Sequence, residues 1–269
     1  MTCTHPIRLG EGFIVPCGKC MACRVKRTQE WATRILDESS YYRANTFLTL
    51  TYNDENLPPD GSLRKEEIQL YMKRLRSRLD DREIKFYAAG EYGDDNGRPH
   101  YHLILINVGM KKDFEIMDKA WSKGFIYVRP VTAETVRYVT AYVQKKLNGP
   151  KAKEVYGSKQ APFNLMSKSI GKRWALDNKD YLNKYKGITI KGKKVGIPRY
   201  YTKCVELDLG KLEFYGDGMI VDEINDKALR RRDDLDRKLP PLDQWKLAQA
   251  KRVQDELTLE QKVSRKKRK

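Results

Sequence analysis

Two apolar stretches, residues 84–89 and 100–107, are joined by GEYGDDNGRP at residues 90–99, a connection rich in turn-forming residues. Short apolar runs bounded by such breakers read as strands, and two joined this way pair as a hairpin. This hairpin constrains the fold most, because the elements on either side of it have to build on it. Before it, TFLTLTY at residues 46–52 alternates apolar and polar, which is strand periodicity. Residues 53–62 are loop, with Pro58, Pro59 and Gly61 as breakers. Ile68, Tyr71, Met72, Leu75 and Leu79 then recur at helical spacing over residues 64–79. After the hairpin come a short helix at 113–121, a strand at 125–129 and a helix at 132–147 with Thr132 as its N-cap. The order β-α-β-β-α-β-α predicts an α+β fold: an antiparallel sheet with helices packed on one face, in the ferredoxin-like manner.

Four regions are expected. Residues 1–40 hold a cysteine cluster and a helix-like stretch at 28–40, residues 41–150 the α+β core, and residues 151–221 a basic and aromatic extension. That extension includes KRW (172–174), PRYYTK (198–203) and a hairpin of residues 188–190 with 194–197. Residues 222–269 read as a charged helical region, broken at Pro240 and Pro241 and ending in the basic tail VSRKKRK. Lys and Arg outnumber Asp and Glu by 54 to 36, a formal net charge of +18, which favours a polyanionic partner, commonly nucleic acid. No apolar run approaches the roughly 20 residues of a spanning helix, and the first residues lack the apolar core of a signal peptide. The expectation is a soluble cytosolic protein without a membrane partner.

The chain has only three histidines, and two of them, His100 and His102, open one strand. Residues two apart on a strand face the same way, so both imidazoles share one sheet face while Tyr101, Leu103 and Leu105 take the other. Two imidazoles on one face can ligate a single divalent metal. Glu91, at the end of the preceding strand, is a natural third ligand, and a carboxylate in the set suits Mg²⁺ or Mn²⁺. Two solvated histidines beside a surface acid are the plainer alternative. Tyr138 and Tyr142 are four apart and share a helix face, with Lys145 and Lys146 one turn beyond. A tyrosine hydroxyl ionises near pH 10 and needs a metal or a neighbouring cation to act as a nucleophile. Packing on the sheet as core residues would explain both tyrosines equally.

TFLTLTY, GEYGDDNGRPHYHLILIN and YVTAYVQKK together resemble the three ordered motifs of the HUH endonucleases that start rolling-circle replication. The likeness is greatest to the replication initiators of gokushovirus-like microviruses, small single-stranded DNA phages. PCGKCMACRVKRTQEWATRI (16–35), APFNLMSKSIG (161–171) and IPRYYTK (197–203) carry it further, over residues 16 to about 203. The resemblance implies an HUH or RRM-like core in which His100, His102 and Glu91 bind a divalent cation. It also implies that a tyrosine attacks single-stranded DNA at the replication origin, giving a 5′-phosphotyrosine and a free 3′-hydroxyl. Host helicase and DNA polymerase would extend from that end in the bacterial cytoplasm, and a second tyrosine would allow rejoining. The family often has lysine three residues after each tyrosine. Here Ala141 follows Tyr138 at that spacing and Lys145 follows Tyr142, which ranks Tyr142 first.

Cys17, Cys20 and Cys23 form CxxCxxC, a spacing whose thiolates can converge on Zn²⁺. Tetrahedral zinc takes four ligands; Cys3 is the expected fourth, with His5 and Cys204 behind it. An iron–sulfur cluster and three reduced thiols are the alternatives. Two other functions compete with the phage nickase: a non-catalytic, zinc-stabilised DNA-binding regulator, and an HUH plasmid initiator or transposase. A covalent protein–DNA adduct separates enzyme from binder. No GxxxxGK[ST] motif is present in the sequence.

Overall fold

A computed structural model describes residues 3–9, 14–79, 81–93, 96–145, 150–190, 192–207, 254–261 and 263. In chain order the elements are β1 (Ile7–Arg8), β2 (Ile14–Val15), α1 (Met21–Ser39), β3 (Asn45–Tyr52), α2 (Lys65–Arg78), β4 (Lys85–Tyr92) and β5 (Pro99–Ile106). There follow α3 (Phe114–Trp121), β6 (Gly124–Pro130), α4 (Ala133–Lys145), α5 (Pro150–Tyr156), β7 (Phe163–Met166) and α6 (Lys172–Asp177). The last are α7 (Lys179–Tyr185), β8 (Ile188–Ile190), β9 (Lys193–Val195) and α8 (Arg199–Val205). Residues 254–261 are also helical. The chain divides into two units: Arg27–Leu182 with Ile197–Leu207, and Met1–Lys26 with Asn183–Gly196 and Asp208–Lys269. Among the described residues, no helix is long and apolar enough to cross a membrane.

The larger unit is built on a five-stranded sheet of order β6-β3-β5-β4-β7, antiparallel throughout. The first four strands have the expected βαββαβ order, and β4 and β5 form the expected hairpin, closed by the Gly93 N–H donating to the Arg98 carbonyl at 3.0 Å. The crossover helices α2 and α3 lie on one face. There Ile68, Tyr71, Met72, Leu75, Met117 and Trp121 pack against Leu48, Leu50, Tyr101, Leu103 and Leu105.

The opposite face is covered as well, which departs from the expectation of helices on one face. Ala32 and Ile35 of α1 and Val136, Val139 and Tyr142 of α4 pack on Phe47, Tyr87, Ile104 and Ile106. The physical reason lies in β5, where Leu103, Ile104, Leu105 and Ile106 are all fully buried, so both faces of the strand are apolar. Strands buried on both sides read as continuous apolar runs rather than as alternation. Each of these side chains contributes about 1.5–3 kcal/mol by burial, so leaving the second face in water would be costly.

Several boundaries differ from those read off the sequence. The helix expected from residue 28 begins at Met21. Strand β4 runs through Glu91 to Tyr92, so Glu91 sits inside the ladder, opposite His100. Strand β7 pairs with β4 and adds a fifth strand that the sequence pattern did not predict. Thr132 does cap α4: its Oγ1 accepts the Thr135 N–H at 3.2 Å, and Thr135 Oγ1 accepts the Thr132 N–H at 2.8 Å. Gly124 opens β6 at φ +151°, where a Cβ would lie 2.3 Å from the Thr51 carbonyl oxygen, so no other residue fits there without moving backbone.

Candidate metal centre, tyrosine pair and cysteine cluster

The sheet register assembles the first site. Glu91 on β4 pairs with His100 on β5, and His100 pairs with Thr51 on β3. One row along, Ala89, His102 and Thr49 are aligned in the same way. Glu91 Oε1 lies 3.0 Å from His100 Nε2 and 3.1 Å from His102 Nε2. Glu91 and His102 are buried, and His100 is partly exposed. The far nitrogens are also engaged. His100 Nδ1 is 3.1 Å from the Arg98 carbonyl oxygen, and His102 Nδ1 is 2.9 Å from Thr49 Oγ1. A carbonyl only accepts, so His100 Nδ1 carries a proton. Its Nε2 is then left to bind a cation or, as an imidazolium, to donate to Glu91.

Helix α4 brings the tyrosines over these groups. Tyr142 is buried, and its ring stacks on His102 with centroids 5.3 Å apart and planes 6° apart. Its hydroxyl donates to Glu91. Burial, followed by the Glu91 contact, pushes the Tyr142 phenol far above its ordinary range. Tyr138 is 48% exposed and stands edge-on to both His102 (5.1 Å) and Tyr142 (5.2 Å). Its hydroxyl is 3.5 Å from His102 Nε2. Burial pushes the Glu91 carboxyl up, but hydrogen bonds from His100, His102 and Tyr142 more than reverse this and hold it at about 2. Lys145 ends α4, with its side chain outside the described ones, and Lys146 lies outside the described residues.

The donor set fits a hard divalent cation. Ligands at about 2.1 Å on neighbouring octahedral positions are about 3.0 Å apart, which matches the separations of Glu91 Oε1 from the two Nε2 atoms. The ligand atoms of Glu91, His100 and His102 all lie within 4.8 Å of one another. Thr49 and the Arg98 carbonyl hold the imidazole rings by their outer nitrogens, a support that ligating histidines commonly have. Sequence reasoning missed Thr49. Its alternation with Phe47 and Thr51 was visible, but its place beside His102 depends on β3 pairing with β5.

The smaller unit gathers Cys3, Cys17, Cys20 and Cys23, whose sulfurs also lie within 4.8 Å of one another. All four are free thiols. The Cys3 and Cys20 sulfurs are 3.8 Å apart, about the edge of a tetrahedron with Zn–S bonds of about 2.3 Å. The backbone N–H groups of Lys19 and Cys20 donate to Cys17 Sγ at 3.4 and 3.3 Å, and that of Cys17 donates to Cys3 Sγ at 3.3 Å. Burial raises the Cys20 thiol, but hydrogen bonds from Thr4 and Cys23 bring it down to about 6. Such a set favours thiolates and fits zinc. His5 lies apart from the set, 2.9 Å from Thr4 Oγ1 and 3.8 Å from a Glu256 carboxylate oxygen. Cys204, on α8, belongs to the larger unit.

Residues 45–147 match the family of replication-associated proteins of the ORF2 type, a span that contains Glu91, both histidines and both tyrosines. The chain is 31% identical over 244 residues to replication-associated protein ORF2 of Spiroplasma virus 4, covering 81% of this chain and 74% of that protein. It is 32% identical over 218 residues to replication-associated protein VP4 of Bdellovibrio phage phiMH2K, covering 70% and 66%. It is 29% identical over 211 residues to replication-associated protein ORF4 of Chlamydia phage 1, covering 70% and 53%. No solved structure matches the chain.

Proposed function

Since this chain belongs to the replication-associated proteins of the gokushovirus-like microviruses, we propose that it starts rolling-circle replication as an HUH-type nickase and strand joiner. The observation that carries this reading is the convergence of two tyrosines on a His-His-Glu donor set across one sheet face. His100, His102 and Glu91 would hold Mg²⁺ or Mn²⁺, which when bound supplies positive charge to the scissile phosphate of single-stranded origin DNA. A tyrosine oxygen forms the bond to phosphorus and the 3′-oxygen leaves; the proton lost by the phenol is matched by the proton the 3′-oxygen gains. The product is a 5′-phosphotyrosine and a 3′-hydroxyl for a host polymerase, with unwinding by a host helicase in the host cytoplasm.

The two tyrosines differ in reach. Lysine spacing favours Tyr142, but the attacked strand must reach the attacking oxygen, and Tyr138 is the exposed one. In this reading Tyr138 attacks first, and Tyr142, held on Glu91, serves the return step. Lys145 and Lys146 follow one turn on, as cations for the charge that develops. The cysteine set would carry Zn²⁺ in a structural role.

The test is a denaturing gel with 5′- and 3′-labelled single strands spanning the phage's own origin, in Mn²⁺ or in EDTA. A metal-dependent covalent protein–DNA band supports the reading. Tight binding without an adduct would favour the zinc-stabilised binder instead.

A further inference from the structure

Strand β6 is an edge of the sheet, and its side chains alternate. Ile126 and Val128 pack into the core beneath α2 and α3. Phe125 and Tyr127 take the other face, 69% and 53% exposed, with Arg129 exposed beyond them. Edge strands are usually protected by charge, and contiguous exposed aromatics mark a binding surface.

The register places this stripe. Phe125 pairs with Thr51, which pairs with His100; Tyr127 pairs with Thr49, which pairs with His102. Each ring therefore shares a sheet face with one histidine of the candidate centre. It lies two strand spacings away, about 10 Å, with only a threonine between. On this face α4 packs over β4, β5 and β7, and the β3–β6 side carries the small Thr49 and Thr51. The exposed Tyr138 ring borders the same area, edge-on to Phe47 at 6.2 Å. Arg129 Nε donates to the Tyr127 hydroxyl at 2.9 Å, and its guanidinium carbon lies 5.0 Å from the ring centroid.

We infer that Phe125, Tyr127 and Arg129 form a platform for single-stranded DNA. Bases stack on the two rings, and Arg129 meets the phosphate between them, so the strand is led across Thr49 and Thr51 to the histidine centre. The occupant follows from chemistry. Flat rings stack unpaired bases of any identity, the bases of a duplex are already stacked on one another, and a chain of net charge +18 draws a polyanion. What happens to the strand next rests on the nickase reading; the binding does not.

The test measures anisotropy of fluorescein-labelled oligo(dT), and of a duplex of equal length, with the full chain in EDTA so that no cleavage occurs. Phe125→Ala and Tyr127→Ala should each weaken single-strand binding by roughly 5- to 150-fold, with duplex binding changed far less and circular dichroism unaltered. Phe125→Trp should bind as the parent does, and Arg129→Ala should flatten the salt dependence by about 0.7 in log–log slope. Unchanged single-strand affinity in both alanine variants overturns the platform. So does loss of self-association in the ultracentrifuge with single-strand binding intact, which would make the stripe an interface between copies. Adduct formation in Mn²⁺ is scored separately. Aromatic-dependent binding without any adduct keeps the platform and removes the nickase; adduct formation with aromatic-independent binding does the reverse.

Discussion

Replacing Thr49 by valine isolates one contact of the proposed metal centre. Valine keeps the β-branch that suits a strand, so β3 and its pairing should survive. What is lost is the hydroxyl 2.9 Å from Nδ1 of His102, a ring that is only 5% exposed. A buried polar atom left without its partner costs about 1–3 kcal/mol. Bonds that orient a ligating histidine typically change metal affinity about 10- to 100-fold, which is the same range. The assay follows free Mn²⁺ by its electron paramagnetic resonance signal during titration, so it does not depend on cleavage. Thr49→Val should raise the half-saturating Mn²⁺ concentration about 10- to 100-fold, and saturating metal should restore adduct formation. Thr51→Val is the control, because the Thr51 hydroxyl donates to the Phe125 carbonyl at 3.3 Å and to neither histidine. If Thr49→Val binds Mn²⁺ as Thr51→Val and the parent do, the Thr49 contact does not orient a metal ligand and the reasoning fails.

Three further outcomes follow from other parts of the structure. Burial raises the Asp37 carboxyl to about 6 despite the Tyr201 hydroxyl that donates to it at 2.7 Å. The folded value lies above the unfolded 3.8, so this group's stabilisation is complete below about pH 4 and is lost as pH rises through 6; Asp37→Asn should add up to about 3 kcal/mol at pH 8 and little at pH 4, read by denaturant midpoint. Glu38 is fully buried and accepts from Lys85 Nζ at 2.7 Å and from the Gly171 N–H at 2.6 Å, so Glu38→Ala strands a buried lysine and should cost about 3–5 kcal/mol in thermal unfolding. Protein purified under reducing conditions without chelator should carry about one equivalent of zinc, and Cys20→Ser should lose most of it by mass spectrometry of the metal.

What was legible in the sequence was local. The β4–β5 hairpin, α2 and α4 each announce themselves within a window of about 15 residues, through turn residues, helical spacing or a cap. His100, His102 and Glu91 could be grouped because a hairpin brings near neighbours in sequence together. The second helical layer was not legible: Ala32 and Ile35 meet Ile104 and Ile106 across more than 60 residues of chain, and only the unbroken apolar run of β5 hinted at it. Strand β7 was missed because four residues, FNLM, form a strand only when β4 offers an edge. The Phe125 and Tyr127 stripe alternates plainly in the sequence, but its relation to the histidines appears only once β6 is known to pair with β3.

The most direct measurement of the central claim is peptide mapping of the protein after reaction with origin DNA and Mn²⁺. Trypsin cuts after Arg137 and Lys145, so residues 138–145 leave as one peptide containing both tyrosines. The account predicts that this peptide carries the nucleotide mass as a 5′-phosphotyrosine, on Tyr138 first, and on neither residue when both are phenylalanine. A nucleotide on any other peptide, or no adduct with the verified origin and metal, would contradict it.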